Sequence, residues 1–266
     1  MNGTTRTADL LGHAPVKGGG LAAEEAPRNG QDPVRSSRRT ALSVGLLILG
    51  GYLTYGVGSA IATTIAAVPG SLSSVGSSTA FPASAVLMLM NSALVIGIGA
   101  LMFPVLRPHS QAVAVGYLAT RVFEGIVLAV GTVSLLNLMT VSRSYTEAGG
   151  AESPSFAALG ALASGGNFLA YNVAMAGLGV GSIFFCGLMY RSNLVPRFLA
   201  GWGVMGYVIF AAGCLLEILG VTGAGMVAVV PGGLFEVFFA IWLIAKGFNP
   251  LATIAGAAST AGTRGR

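Results

Sequence analysis

Six apolar runs, each long enough to cross a bilayer, occupy most of the chain between Thr40 and Phe248. A helix rises 1.5 Å per residue, so about 20 apolar residues cover the ~30 Å hydrocarbon layer. Inside that layer water is absent and each backbone N–H and C=O must find a partner within the protein, which a helix provides from its own chain. The expected fold is therefore all-α: a polytopic integral membrane bundle of six transmembrane helices.

Composition agrees with that solvent. Hydrophobic residues make up 54% of the 266 and charged ones only 9%, against about 25% charged in soluble domains. Such a chain has too little polar surface to stay in water. Many of its 40 glycines fall inside the apolar runs, where small residues let membrane helices approach closely. The net charge of +5 would raise nucleic acid as a partner in a soluble protein. Here the basic residues flank the spans and set orientation, so the bilayer is the expected partner and nucleic acid is not. Cys186 and Cys214 both sit in apolar runs, at depths too different for a disulfide between them.

The spans are expected near residues 41–66, 84–106, 112–141, 163–190, 198–221 and 226–245. They form one transmembrane domain over 40–248, after a disordered cytoplasmic tail (1–39) and before a short cytoplasmic tail (249–266). Residues 1–39 mix Gly, Pro and both charges with no apolar period, and bury too little to offset ordering entropy. Ser37-Arg38-Arg39 reads as the basic flank of the first span rather than as a twin-arginine export signal, because five more spans follow. The polar run Ser164-Gly165-Gly166-Asn167 blurs the start of the fourth span. Pro231-Gly232-Gly233 interrupts the sixth, where a kink or a late helix start is expected.

Charge asymmetry orients the bundle. With the N-terminus in the cytoplasm, twelve Lys and Arg residues lie in inside segments and only Arg143 lies in an outside loop. That imbalance obeys the positive-inside rule and places both termini in the cytoplasm, with the cytoplasmic membrane as the expected location. Trp202 and Trp242 fall near the cytoplasmic ends of their spans, as interface anchors do.

Four stretches carry a resemblance. They are Leu101-Met102-Phe103-Pro104-Val105-Leu106, Thr120-Arg121-Val122-Phe123-Glu124, Tyr190-Arg191-Ser192-Asn193-Leu194-Val195-Pro196-Arg197, and Glu236 followed by Trp242-Leu243-Ile244-Ala245-Lys246-Gly247-Phe248. Over roughly residues 38–250 the chain resembles an uncharacterised bacterial family of small polytopic membrane proteins, domain of unknown function 4386. The resemblance implies a six- or seven-span membrane fold and supplies no activity, ligand or catalytic residue.

Of all charged residues, only Arg121, Glu124, Glu217 and Glu236 fall inside spans. An ionised group at mid-bilayer costs about 2.5–3.5 kcal/mol on insertion scales, so each needs a partner or a wet cavity. Arg121 and Glu124 are three apart and share a helix face, which Tyr117 joins at i−4 from Arg121. Glu236 lies at matching depth in the sixth span, and Glu217 nearer the outer end of the fifth. Asn172 and Asn91 stand at middle to outer depth as possible hydrogen-bond partners. If Arg121 faces both Glu124 and Glu236, one carboxylate lacks a full counter-charge and is placed to exchange a proton or hold a cationic group.

Two functions follow as expectations. One is small-molecule or proton-linked transport or ligand binding through a midplane site of Arg121, Glu124, Glu236, Tyr117 and Asn172, with Glu217 and Asn91 secondary. The other is a non-catalytic scaffold or accessory subunit whose tail recruits a partner through Arg35, Arg38 and Arg39. The absence of an internal repeat between the first and last three spans weighs against transport. No enzyme is expected: HExxH, G-x-S-x-G and a phosphate-binding glycine loop are all missing. Gly177-Leu178-Gly179-Val180-Gly181 lies inside a span, and its Gly177 and Gly181 read as a packing face within the bundle. His13 and His109 have no companions, so neither a metal nor another cofactor is expected.

Overall fold

Each apolar run is a helix in the computed structural model, which describes residues 33–66, 71–150 and 154–254. The helices are α1 (Pro33–Ala66), α2 (Ser71–Ser77), α3 (Ala80–Leu106), α4 (Gln111–Glu147), α5 (Pro154–Ser192), α6 (Arg197–Ile218) and α7 (Ala224–Ala245). All except α2 are long and apolar enough to cross a membrane. The chain is an all-α, multi-pass integral membrane protein, and the apolar outer faces of its helices contact the lipid bilayer. Leu46, Leu53, Val86, Phe184 and Met226, all exposed, are part of that outer surface.

The helices run alternately up and down and close into a ring. Packing joins α1 to α3, α3 to α4, α4 to α5, α5 to α6, α6 to α7, and α7 back to α1. Small residues hold the seams. A Cβ on Gly45 of α1 would stand 2.7 Å from the Ala240 carbonyl oxygen of α7, and one on Gly206 of α6 would stand 3.1 Å from the Gly232 Cα of α7. Backbones this close leave no room for a side chain, the packing mode of membrane helices. Gly177 and Gly181 face α4 in the same way, against Phe123 and Thr120.

Several boundaries differ from the sequence reading, each for a local reason. Helix α1 begins at Pro33, so residues 33–39 are helical rather than tail. Proline suits a first turn, where its missing N–H costs no bond. Arg38 leaves the proposed recruiting tail altogether, because its Nη1 and Nη2 donate to the Leu243 and Ile244 carbonyls at 3.0 and 2.6 Å. A cation there suits the carbonyl end of α7, where Leu243 O also accepts the Gly247 N–H at 3.1 Å. Residues 1–32 and 255–266, to which the tail expectations otherwise apply, lie outside the described residues. Residues 250–254 are helical, and Asn249 N–H donates to Leu194 O at 2.9 Å, tying the chain after α7 to the α5–α6 turn.

Helix α5 starts at Pro154, nine residues before the expected span, and runs straight through Ser164-Gly165-Gly166-Asn167. Contact with α4 overrides the weak local preference there: Ser134 Oγ donates to Ala163 O at 3.1 Å, and Gly131 faces Ala170. The loop after α1 contains the unexpected α2, packed on α4 and α1 and tied to α4 by the Ser142 hydroxyl on Leu72 O. Helix α7 continues through Pro231, so neither a late start nor an interruption of the helix occurs. The proline ring still removes the bond that residue 231 would donate to Val227 O.

Candidate functional site

A cavity of about 250 Å³ lies inside the ring, and all six long helices line it. Its charged wall comes from α4 and α7. On α4, Arg121 and Glu124 project inward one turn apart, as the i, i+3 spacing dictates. Their side chains are 5% and 4% exposed. Arg121 Nη1 donates to Glu124 Oε2 at 2.9 Å, and Arg121 Nε donates to the Tyr117 hydroxyl at 2.9 Å. The guanidinium carbon stands 5.3 Å from the Tyr117 ring centroid, and that ring stacks on Phe185 of α5 at 4.1 Å. One residue from a neighbouring helix thereby fixes the tyrosine that orients the arginine.

Glu236 of α7 completes the group. Its Oε1 lies 3.8 Å from Arg121 Nη2. The same oxygen accepts the Tyr207 hydroxyl of α6 at 2.5 Å, and Oε2 accepts the Tyr52 hydroxyl of α1 at 2.8 Å. The two carboxylates are therefore held differently. Glu124 has a close, buried cation on its own helix. Glu236 has two neutral O–H donors and a cation nearly an ångström further off, and its side chain is 15% exposed. With all three groups ionised, one positive charge faces two negative ones, and Glu236 is the less compensated carboxylate.

The residues picked from sequence separate into three places. Arg121, Glu124 and Glu236 meet at the cavity, and Tyr117 stands behind them, off the lining, bonded to Arg121. Asn91 lines the same cavity from α3. Asn172 is buried but does not line it, and its Nδ2 donates to Phe168 O of its own helix at 3.0 Å. Glu217 is also elsewhere. Its carboxylate accepts the Gly223 and Gly225 N–H groups at 3.0 and 2.9 Å, filling bonds that the first turn of α7 leaves open. Gly223 itself has φ 85°, a turn conformation suited to glycine.

Sequence reasoning passed over Tyr52 and Tyr207. A signal was present: both lie within their spans, far from the interfacial belts where membrane tyrosines concentrate. A tyrosine hydroxyl held away from water needs an acceptor, and Glu236 is the acceptor for buried Tyr207 and for Tyr52 on the accessible side. Among the described residues no three His, Cys, Asp or Glu side chains gather as metal ligands. Cys186 and Cys214 are free and buried.

No curated protein and no solved structure matches the chain. A family model does match, over residues 43–247, which takes in α1 from residue 43 onward, the other five membrane helices whole, and every residue of the cavity wall. The chain belongs to the family described as Domain of unknown function (DUF4386).

Proposed function

We propose that this is a ligand-binding membrane protein of the transport type, working through the Arg121, Glu124 and Glu236 cluster. In this reading it sits in the cytoplasmic membrane with both termini inside. The basic residues Arg38, Arg107, Arg191, Arg197 and Lys246 fall at one end of the bundle, and Arg143 at the other, as the positive-inside rule requires for that orientation. One observation carries the function: the less compensated of the cluster's two carboxylates borders a cavity at mid-depth, between helices that belong to opposite ends of the chain. A charge held only to fix helix pairing needs no adjoining space. Glu236 has space beside it, and two hydroxyls and a guanidinium hold it in place.

In this site Glu236 takes the proton or the cationic group, Arg121 balances whichever carboxylate is ionised, and Tyr52 and Tyr207 hold the carboxylate oriented in both states.

The test is reconstitution into vesicles that carry a trapped pH indicator. With an imposed proton gradient and a panel of small organic solutes, the wild-type protein is expected to change lumenal pH with at least one solute class. The near-isosteric Glu236→Gln variant, eluting as the same folded species, is expected to abolish that response. A wild-type response equal to that of empty vesicles, or one unaltered by Glu236→Gln, rejects the reading.

A further inference from the structure

We infer that the cavity takes a small amphiphilic organic cation, with an apolar body and one amine or quaternary ammonium head, and admits it sideways from the bilayer between α1 and α7. The inference rests on the reading of the Arg121, Glu124 and Glu236 cluster as a binding site, and adds the ligand class and its route.

The route follows from which lining residues are accessible. Every one contributed by α3, α4 and α6 is buried. The exposed or half-buried ones are Tyr52, Tyr55 and Gly56 of α1, Val229, Gly233 and Glu236 of α7, and Tyr171 behind them on α5. The α1–α7 seam is shut at Gly45, where no Cβ fits against Ala240. It is open at Gly56, where a Cβ would meet nothing within 4 Å. Gly56 is ten residues from the end of α1, roughly 15 Å along the helix, so the opening lies within the depth of the spans. Its flanks are the exposed apolar side chains Leu53, Val57, Met226 and Val230. An opening rimmed this way faces lipid.

The head group follows from what a ligand meets first. Arg121 is deep and committed to Glu124, whereas Glu236 stands at the accessible side with partial compensation. An anion would meet a carboxylate before reaching the guanidinium. A cation meets Glu236 among the rings of Tyr52, Tyr55 and Tyr171, the last two stacked at 5.7 Å. Aromatic faces attract ammonium groups, more strongly when water is excluded. Ile48, Val95, Ile98, Leu128 and Leu178 form the remaining wall and accept an apolar body. A cavity of about 250 Å³ is at or just under the lower end of the size range for ligand sites, which restricts that body to about one ring or a short chain.

The test uses the full chain in neutral phosphatidylcholine nanodiscs with radiolabelled benzyltrimethylammonium. Saturable binding is expected, at least ten-fold weaker for tetramethylammonium, which lacks the body, and absent for phenylmethanesulfonate, which reverses the charge. Equal or tighter binding of the anion overturns the ligand class. Glu236→Gln is expected to weaken benzyltrimethylammonium binding at least ten-fold; unchanged affinity overturns the underlying site. The route has its own readout. Bilayer-soluble dicyclohexylcarbodiimide is expected to modify Glu236, detected by mass spectrometry, and a water-soluble carbodiimide is not. Gly56→Phe and Gly56→Leu, which place bulk in open space, are expected to suppress that modification and slow ligand association. Labelling by the water-soluble reagent, or labelling insensitive to both Gly56 variants, overturns sideways access while leaving the site standing.

Discussion

Replacing Arg121 with methionine tests the electrostatics of the site most directly. The change keeps a long side chain and removes the cation, so Glu124, 4% exposed, loses its partner at 2.9 Å. Breaking a buried ion pair by deleting one partner costs about 3–5 kcal/mol, because the survivor is left buried and uncompensated. The packing contribution is small by comparison, since methionine fills most of the same channel beside Gly99. The double variant Arg121→Met/Glu124→Gln removes both charges and should recover about 1–3 kcal/mol relative to the sum of the single changes, within the range for residues in direct contact. Coupling between Arg121 and Glu236 should be weaker. Their separation is 3.8 Å, and Tyr52 and Tyr207 still satisfy Glu236 when the arginine is gone. The assay is reversible unfolding in mixed micelles at increasing dodecyl sulfate fraction, with wild type, both single variants and the double variant in one cycle. A cost below about 1 kcal/mol for Arg121→Met, or strict additivity with Glu124→Gln, would refute the claim that this pair is a tightly coupled buried unit.

Two further expectations concern the ends of the helices. Glu217→Ala deprives the Gly223 and Gly225 N–H groups of their acceptor and should lower stability by about 0.5–2 kcal/mol, as loss of a helix cap does; the same micelle titration reads it. His109, in the α3–α4 turn, has its pKa lowered by burial. The unfolded chain then binds the proton more readily than the folded one, so stability should fall as pH drops through about 6.5 and below. Thermal unfolding between pH 8 and 5 should show that loss, and His109→Gln should reduce it.

Much of the fold was legible in the sequence because hydrocarbon leaves the backbone so few options. Six runs of sufficient length and apolarity fix six helices, and short loops fix their alternating direction. Arg121 and Glu124 could be paired from spacing alone. The approach of Glu236 to them could not. Both faces of α7 are apolar, so periodicity does not reveal its rotation, and nothing in the local pattern states that the last span lies beside the first. Ring closure supplies that information. It also explains Tyr52 and Tyr207, which reach one carboxylate from different helices. Helix α5 begins ahead of the expected fourth span: Gly165 and Gly166 weaken a helix in water, whereas here Gly166 is where α4 comes close. Asn172 joins the central site on depth alone, which fixes height in the membrane but not bearing around the ring, whereas the outer position of Glu217 already sets it apart.

The join between α1 and α7 has a consequence for biogenesis. Of the six described spans the ribosome makes these two first and last, so the circle stays unclosed until α7 is inserted. Arg121 and Glu124 travel together on a single segment and enter the bilayer already neutralised by each other. Glu236 arrives later and alone, and its hydroxyl donors are already waiting on partners synthesised before it.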